Sequence, residues 1–344
     1  MTVLDRRRVL VALAALASPF GARAQNAAVV DGAGRPIRIP ETVARVFPAG
    51  PPAAILLYTL APDLLLGWPR AIRLEERAYL LPQIGVRPEV GRLTGRGNTA
   101  NLETVLQLKP DLLLDVGSTD GTYVSLADRV QAQTGISFAL LDGRLDQTAE
   151  TYRILGRLVR HEEQAAELTR YAEATLRSVR ERVAAVPQEQ RPRTYYARGP
   201  RGLETGLAGS INVEALEAMG ARNVAGGQRG GLIPVSLEQV LAWDPEVIIT
   251  IDQEFARTVR TDPNWAPVSA VRAGRVHLSP KLPFGWVDFP PSVNRLVGLW
   301  WLGKMLYPEL FPEDLGPIAR DFYARFYHVS VTDDQLEQVL AGRG

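Results

Sequence analysis

The feature that most constrains the fold is a segment that occurs twice in the chain. It spans residues 101–114, as NLETVLQLKPDLLL, and returns at residues 236–249, as SLEQVLAWDPEVII. Asn101 or Ser236 can cap the start of a helix, the apolar positions give that helix one buried face, and the proline ends it before an apolar strand. One helix-to-strand unit in each half of the chain predicts two related α/β lobes with a ligand cleft between them.

The first 24 residues have the pattern of an export signal. Arginines at 6–8 precede the apolar run 9–17, and Ala22-Arg23-Ala24 matches the small-x-small pattern that signal peptidase accepts. We expect a signal peptide over residues 1–24, with Gln25 as the first mature residue, and export through either the Sec or the Tat route. No later stretch approaches the ~20 apolar residues that a spanning helix needs, so we expect the mature protein free in the periplasm.

Composition excludes several classes of function. The chain has no cysteine, which excludes a cysteine-linked lipid anchor, a disulfide framework and a thiolate metal site. The formal net charge is +1, which argues against nucleic-acid binding because that needs a concentrated basic surface. The three histidines, His161, His277 and His328, are far apart in the sequence, so we expect no dedicated metal site.

No catalytic motif is visible. The sequence contains no Gly-x-Ser-x-Gly nucleophile elbow, no Walker A loop and no His-Glu-x-x-His pair. The loop at residues 95–98 lacks the third glycine of a dinucleotide-binding fingerprint. We therefore expect no enzymatic activity, no catalytic residues and no cofactor.

Periodic patterns divide the mature chain into three parts. Residues 25–147 alternate predicted strands and helices and form an N-terminal α/β lobe. Residues 148–186 carry periodic Leu, Ile and Val with no proline before residue 187, which predicts one long amphipathic connector helix of roughly 35 residues. Residues 187–344 form a C-terminal α/β lobe.

Candidate ligand-binding residues lie in loops that follow the predicted strands, where open α/β sheets place their ligand crevice. Arg offers several fixed donors to an oxyanion, and Tyr or Trp offers a flat apolar face with a polar tip, so an anionic and partly planar ligand suits these loops. The alternative is that the arginines are solvated surface charges and that the tryptophan is a packing residue. The candidates are Pro51, Pro52, Arg96, Asn98 and Ser118 in the first lobe, and Tyr196, Arg198, Arg201 and Trp286 in the second.

Glu103 and Glu238 occupy matching places in the two repeat units, each in the first turn of its helix. A carboxylate there interacts favourably with the positive end of the helix dipole, and this could explain both residues. The identical spacing favours a second interpretation, in which one acidic side chain per lobe docks onto a two-fold symmetric partner.

With these residues the chain resembles the periplasmic substrate-binding proteins that serve ABC importers of ferric siderophores, haem and cobalamin. The match rests on the exported N-terminus, the opening at residues 31–35, the paired Leu-Glu units, the long connector helix and the segment AVRAGRV at residues 270–276. The resemblance implies two Rossmann-like lobes joined by one long backbone helix, small hinge motion and no catalysis. It also implies that Glu103 and Glu238 contact arginines of the permease dimer in the inner membrane.

The expected ligand is an iron chelate of the ferric siderophore type, which the protein captures as a monomer and delivers to the importer. Haem, cobalamin and oxyanions such as molybdate remain open, and haem would require Tyr123, Tyr195 or Tyr196 to point into the cleft. From other classes of function, an exported α/β hydrolase and a sensory protein that docks on a receptor are the alternatives.

Overall fold

The computed structural model of the protein describes residues 28–95 and 99–342. The predicted signal peptide lies outside the described residues, and so do Arg96 and Asn98. Across the described ranges, no helix combines the length and the apolar character that crossing a bilayer requires.

The first lobe is built around a parallel sheet. A short antiparallel hairpin of β1 (Ala28–Val30) and β2 (Pro36–Arg38) leads into strands β3 (Val46–Pro48), β4 (Leu112–Gly117) and β5 (Phe138–Asp142), which pair in that order. The apolar residues of β4 are buried, since the sheet is covered on both faces. The helices of this lobe are α1 (Pro51–Leu60), α2 (Leu74–Arg77), α3 (Pro82–Gly85), α4 (Leu102–Leu108) and α5 (Gly121–Thr134).

The second lobe repeats this plan. Its strands are β6 (Arg193–Ala197), β7 (Glu204–Gly206), β8 (Arg222–Asn223), β9 (Leu232–Pro234), β10 (Val247–Thr250) and β11 (Val276–Leu278). The parallel sheet has the strand order β11-β10-β6-β8, and β7 and β9 form a small antiparallel pair. The helices are α8 (Glu214–Ala218), α9 (Leu237–Trp243), α10 (Gln253–Thr258), α11 (Ser269–Arg272) and α12 (Arg295–Leu306).

The two repeat units have the same local structure. The side chain of Asn101 accepts a hydrogen bond from the backbone N–H of Thr104 at the start of α4, and that of Ser236 accepts one from Gln239 at the start of α9. Each helix has seven residues and is followed by a residue in the left-handed conformation before the chain enters β4 or β10. The predicted α/β fold with paired helix-to-strand units is therefore confirmed.

The prediction of a single helix over residues 148–186 is wrong. The chain forms α6 (Thr148–Val159) and α7 (Glu162–Ala184), separated by Arg160, whose φ is +60°, and by His161. The Thr169 hydroxyl donates to the Ala149 carbonyl, and a Cβ on Gly156 would lie 2.5 Å from the Ala165 side chain. The later position in α6 thus meets the earlier position in α7, so the two helices pack antiparallel. The 23 residues of α7 extend over about 35 Å at the rise of an α-helix, so α7 alone is the long helix that leads to the second lobe.

The C-terminal helices pack on the first lobe, although the sequence analysis assigned them to the second. They are α13 (Leu315–Phe322), a π-helical turn (Tyr323–Tyr327) and α14 (Asp333–Leu340). The Tyr58 hydroxyl donates to the Tyr327 carbonyl at 2.8 Å, and the Tyr79 hydroxyl donates to the Gln335 carbonyl at 3.1 Å. Helix α1 is buried on every side from residue 53 to residue 60. The C-terminal helices cover part of its surface. The division of the chain at residues 147 and 187 stays a prediction.

Candidate functional site

A cleft of about 840 Å³ lies at the carboxyl ends of the parallel strands and is lined by both lobes. Residues at and after the ends of β3, β4 and β5 contribute to one wall, and the second lobe contributes Arg198 after β6, residues from the segments before α8 and in β9, and the loop before α12. This is the place where open α/β sheets bind ligands. The lining consists of Gly50–Pro52, Pro69, Arg70, Arg92, Thr94, Gly95, Asp115–Asp120, Tyr123, Asp142–Arg144, Arg198, Ile211, Asn212, Leu232 and Asp288–Pro291.

Four of the predicted ligand-binding residues line this cleft. They are Pro51 and Pro52 at the start of α1, Ser118 after β4, and Arg198 after β6. The two prolines occupy the first two helical positions of α1, where a missing backbone N–H costs no helical hydrogen bond. Direct contact of any of the four with a ligand stays a prediction.

Three other predicted residues lie elsewhere, so their placement in the cleft is corrected. Tyr196 and Trp286 are buried in the core, and Arg201 is exposed at a position outside the lining. Trp286 packs against α12, where a Cβ on Gly298 would lie 2.0 Å from its carbonyl oxygen. Of the tyrosines considered for haem, Tyr123 lines the cleft, whereas Tyr195 is buried and donates to the Gly202 carbonyl.

Asp288 organises the wall that the second lobe contributes. Its side chain is fully buried and accepts hydrogen bonds from the Tyr196 hydroxyl at 2.6 Å, from the Asn212 amide at 2.9 Å and from the backbone N–H of Phe289 at 2.7 Å. It also forms an ion pair with Arg198. Burial raises the pKa of Tyr196 well above its ordinary value, and the charge of Asp288 adds to this effect. The Tyr196 hydroxyl therefore stays neutral and donates to the carboxylate.

Two arginines of the cleft, Arg198 and Arg144, form ion pairs with carboxylates of the protein. Besides Asp288, Arg198 has Glu204 at 3.4 Å, and Arg144 contacts Asp142 at 2.7 Å after β5. In the described ranges the lining contains four arginines and four aspartates, so it has no strong excess of either charge. Recognition of an anion must then depend on where individual guanidinium N–H groups point, not on a broad basic field.

Asp115 lies at the floor of the cleft and is buried. It accepts hydrogen bonds from the Thr94 hydroxyl and from the backbone N–H of Val116, both at 3.0 Å. Burial raises the pKa of Asp115 in spite of these hydrogen bonds, which lower it. Gly50 allows this close packing, because a Cβ there would lie 2.8 Å from the Thr94 hydroxyl.

Ser118 and Asp120 shape the loop between β4 and α5. The Ser118 hydroxyl donates to the Asp120 carboxylate at 2.9 Å, and that carboxylate accepts from the backbone N–H groups of Thr122 and Tyr123. The hydrogen bond from Ser118 is the largest of the effects that hold the pKa of Asp120 below its ordinary value. Asp120 thus caps α5 and places the Tyr123 ring at the cleft.

Glu103 and Glu238 both lie exposed in the first turn of their helices, as the sequence analysis expected. The pKa of Glu238 is held below its ordinary value by its own backbone N–H and by the Ser236 hydroxyl. Their contact with a permease stays a prediction.

No sequence pattern indicates the Asp288 cluster, which consists of Asp288, Tyr196, Asn212 and Arg198. Asn212 lies 76 residues before its partner in the chain, so no local pattern connects them. Trp286 is a candidate from the sequence, but the sequence pattern does not show that Trp286 points inward while Phe289, three residues later, lies in the cleft.

The sequence profile of the family described as "Periplasmic binding protein" matches residues 60–282. The chain belongs to this family. The molybdate-binding protein MolA of Haemophilus influenzae is 27% identical over 274 residues, which cover 73% of this chain and 77% of MolA. An ABC transporter solute binding protein from Sulfurospirillum deleyianum superposes with a TM-score of 0.83 at 29% identity, over 91% of this chain and 99% of that chain.

The structure of MolA bound to molybdate superposes with a TM-score of 0.74 at 24% identity, over 89% of this chain and 99% of that chain. These similarities confirm the predicted two-lobed fold. A periplasmic binding protein of this family is the solute-binding component of an ABC transporter and works outside the cytoplasm with a membrane permease. The family consists of substrate-binding proteins, not of enzymes.

Proposed function

We propose that the protein captures an anionic metal chelate of the ferric siderophore type and delivers it to its ABC importer. The observation that carries the proposal is the size and character of the cleft. Its volume of about 840 Å³ falls within the range of about 300–1,000 Å³ that accommodates drug-sized ligands. A tetrahedral oxyanion alone would fill only a small part of it, since a water molecule takes about 30 Å³.

The composition of the walls supports this ligand class. Arg70, Arg92 and Arg144 come from the first lobe and Arg198 from the second. A ligand with several oxygens around a metal could accept from guanidinium groups of both lobes at once. Because such a ligand binds best when both walls reach it, it would stabilise the arrangement of lobes in which they are closest.

Molybdate is a second candidate. It is favoured by the 27% identity to a molybdate-binding protein. For this ligand, the walls of the cleft would have to come closer together to surround a small oxyanion.

Titration of the purified mature protein distinguishes the two candidates. Native mass spectrometry of the protein isolated from its own periplasm identifies a ligand that is already bound. The protein is then titrated with ferric chelates, haem, cobalamin and molybdate, and the fluorescence of its six tryptophans reports binding. We expect a saturable response to a ferric chelate. A response to molybdate alone would favour the second candidate, and silence towards all four ligand classes would contradict the proposal.

Arg198 and Arg201 form a matched pair of variants for the binding site. Arg198 lines the cleft, whereas Arg201 lies three residues later, exposed and outside the lining. Arg198→Ala should weaken ligand binding by about 1.5–3 kcal/mol, the range for a hydrogen bond to a charged group, and Arg201→Ala should leave it unchanged. Equal affinities for the two variants would remove Arg198 from the site.

We also propose that Glu103 and Glu238 dock the protein onto the two subunits of the permease. The double variant Glu103→Gln with Glu238→Gln should keep its ligand affinity and lose most ligand uptake in cells. A matched control is Glu163→Gln with Glu254→Gln, since these exposed glutamates also lie in first helical turns. Normal uptake by the first double variant would mean that both residues only stabilise the starts of their helices and do not dock the protein.

A further inference from the structure

Phe289 is an exposed aromatic side chain inside the cleft. It is 71% exposed and lies on the wall that the second lobe contributes. Of the strongly exposed large apolar side chains in the described ranges, only Phe289 is aromatic. The others lie outside the cleft lining. An exposed aromatic ring on a concave surface is a feature of binding sites, because its apolar face is free to be covered by a ligand.

The backbone of Phe289 is held in a conformation that such a residue rarely adopts. Its φ is +66°, in the left-handed region, where a bulky side chain is a genuine outlier. Strained backbone of this kind persists only when the surrounding structure fixes it, and it concentrates at ligand-binding and active sites.

The Asp288 cluster holds the Phe289 backbone in this conformation. The carboxylate accepts from the Phe289 backbone N–H and is itself held by Tyr196, Asn212 and Arg198. Gly285 closes the turn, since a Cβ there would lie 1.8 Å from the Asp288 carbonyl oxygen. The loop therefore holds the Phe289 ring towards the cleft before any ligand arrives, although burying the ring in the core would be more favourable for an apolar side chain.

We propose that Phe289 is a preorganised stacking surface for an aryl group, so that the ligand is an anionic aryl chelate of the catecholate class. This inference rests on the proposed function and names the chemistry of its ligand. A catecholate presents a flat ring, which stacks on an aromatic face, together with charged oxygens, which accept from arginine. Pro290 and Pro291 add apolar lining next to Phe289 in the chain, and Pro51, Pro52 and Tyr123 line the same cleft from the first lobe.

Catecholate oxygens chelate both ferric iron and molybdenum(VI), so the same recognition chemistry serves two metal centres. Three probes distinguish an iron chelate from a molybdenum chelate. They are the ferric complex of 2,3-dihydroxybenzoate, molybdate mixed with 2,3-dihydroxybenzoate, and molybdate alone. Ferric citrate serves as an anionic iron chelate without a ring.

The test compares variants of Phe289 in the full mature protein by isothermal titration calorimetry. Phe289→Leu keeps an apolar side chain but removes the ring, Phe289→Trp keeps a ring, and Leu74→Ala is a control at an exposed apolar side chain outside the cleft lining. Phe289→Leu should weaken binding of the aryl chelate by about 2- to 12-fold, the range that aromatic pairing gives beyond burial. Binding of ferric citrate should change less than twofold, and Phe289→Trp and Leu74→Ala should keep the affinity for the aryl chelate.

Thermal unfolding of each variant confirms that the fold is retained. A selective loss for the ferric or for the molybdenum aryl chelate supports the inference and names the metal. Equal loss for aryl and non-aryl ligands, or no loss for either, would overturn the inference and leave the proposed transport function standing. Binding of molybdate alone, with no effect of the aryl group, would also overturn it. If the wild-type protein bound none of the probes, the proposed function would fail and the inference with it.

Discussion

Glu214 and Arg295 form an ion pair where the two lobes meet, and replacing Glu214 by Gln should destabilise the protein. Arg295 donates to the Glu214 carboxylate at 2.6 Å and to the Gly143 carbonyl at 2.6 Å, and the same carboxylate oxygen accepts from the Leu145 backbone N–H at 2.9 Å. Gly143 and Leu145 follow β5 of the first lobe, whereas Glu214 begins α8 and Arg295 begins α12. These hydrogen bonds therefore join the lobes beside the cleft.

The magnitude follows from burial. The Arg295 side chain is 3% exposed and that of Glu214 is 24% exposed, and burial lowers the pKa of Arg295, against the effect of Glu214. Removing one partner of a buried ion pair costs about 3–5 kcal/mol, because the other charge stays buried and unpaired. Since Glu214 is partly open to solvent, we expect Glu214→Gln to reduce the free energy of unfolding by about 2–4 kcal/mol.

Urea unfolding followed by tryptophan fluorescence measures this change, with the m-value as a check that the same surface unfolds. Glu150→Gln is the matched control, because Glu150 pairs with Arg153 at the exposed surface, where an ion pair contributes about 0–1 kcal/mol. Adding Arg295→Met to Glu214→Gln should recover part of the loss, since the uncompensated charge is then gone. If Glu214→Gln cost no more than Glu150→Gln, the reasoning from burial would be refuted.

Three further changes have expected outcomes. Asp288→Asn should reduce the free energy of unfolding by about 3–5 kcal/mol, because it removes the counter-charge from a buried cluster, and urea unfolding measures it. Gly298→Ala should reduce the free energy of unfolding by at least about 1–3 kcal/mol, because its Cβ would overpack against Trp286. Gly121→Ala is the control and should not destabilise the protein, since a Cβ there has nothing within 4 Å. Thermal unfolding compares the two variants. Burial lowers the pKa of His277 from 6.5 to about 4, so the unfolded state binds more protons between these pH values and stability should fall as the pH drops through this window. A His277→Gln variant with the same pH profile as the wild type would contradict that assignment.

Local signals made part of the fold predictable from the sequence. The caps Asn101 and Ser236 and the prolines after each repeat helix mark α4, β4, α9 and β10 because those signals act within a few residues. The rule that ligands bind at the carboxyl ends of parallel strands then led to Pro51, Pro52, Ser118 and Arg198 in the cleft.

Features that depend on distant parts of the chain could not be predicted in this way. The break at Arg160 has no adjacent glycine or proline; it is stabilised by the packing of α7 on α6, where a Cβ on Gly156 would lie 2.5 Å from the Ala165 side chain. Tyr196 and Trp286 are aromatic residues near strand ends, yet tertiary packing buries both. Residues near the same strand ends can face the cleft or the core, and the sequence pattern does not distinguish them.

The return of the C-terminal helices to the first lobe has a consequence for how the chain folds. Tyr58 and Tyr327 are 269 residues apart in the sequence, and contacts at such separation make folding slow. The first lobe cannot complete its core around α1 until the end of the chain has emerged from synthesis or export. Until then, the apolar face of α1 lacks part of its cover and is open to aggregation or to a chaperone.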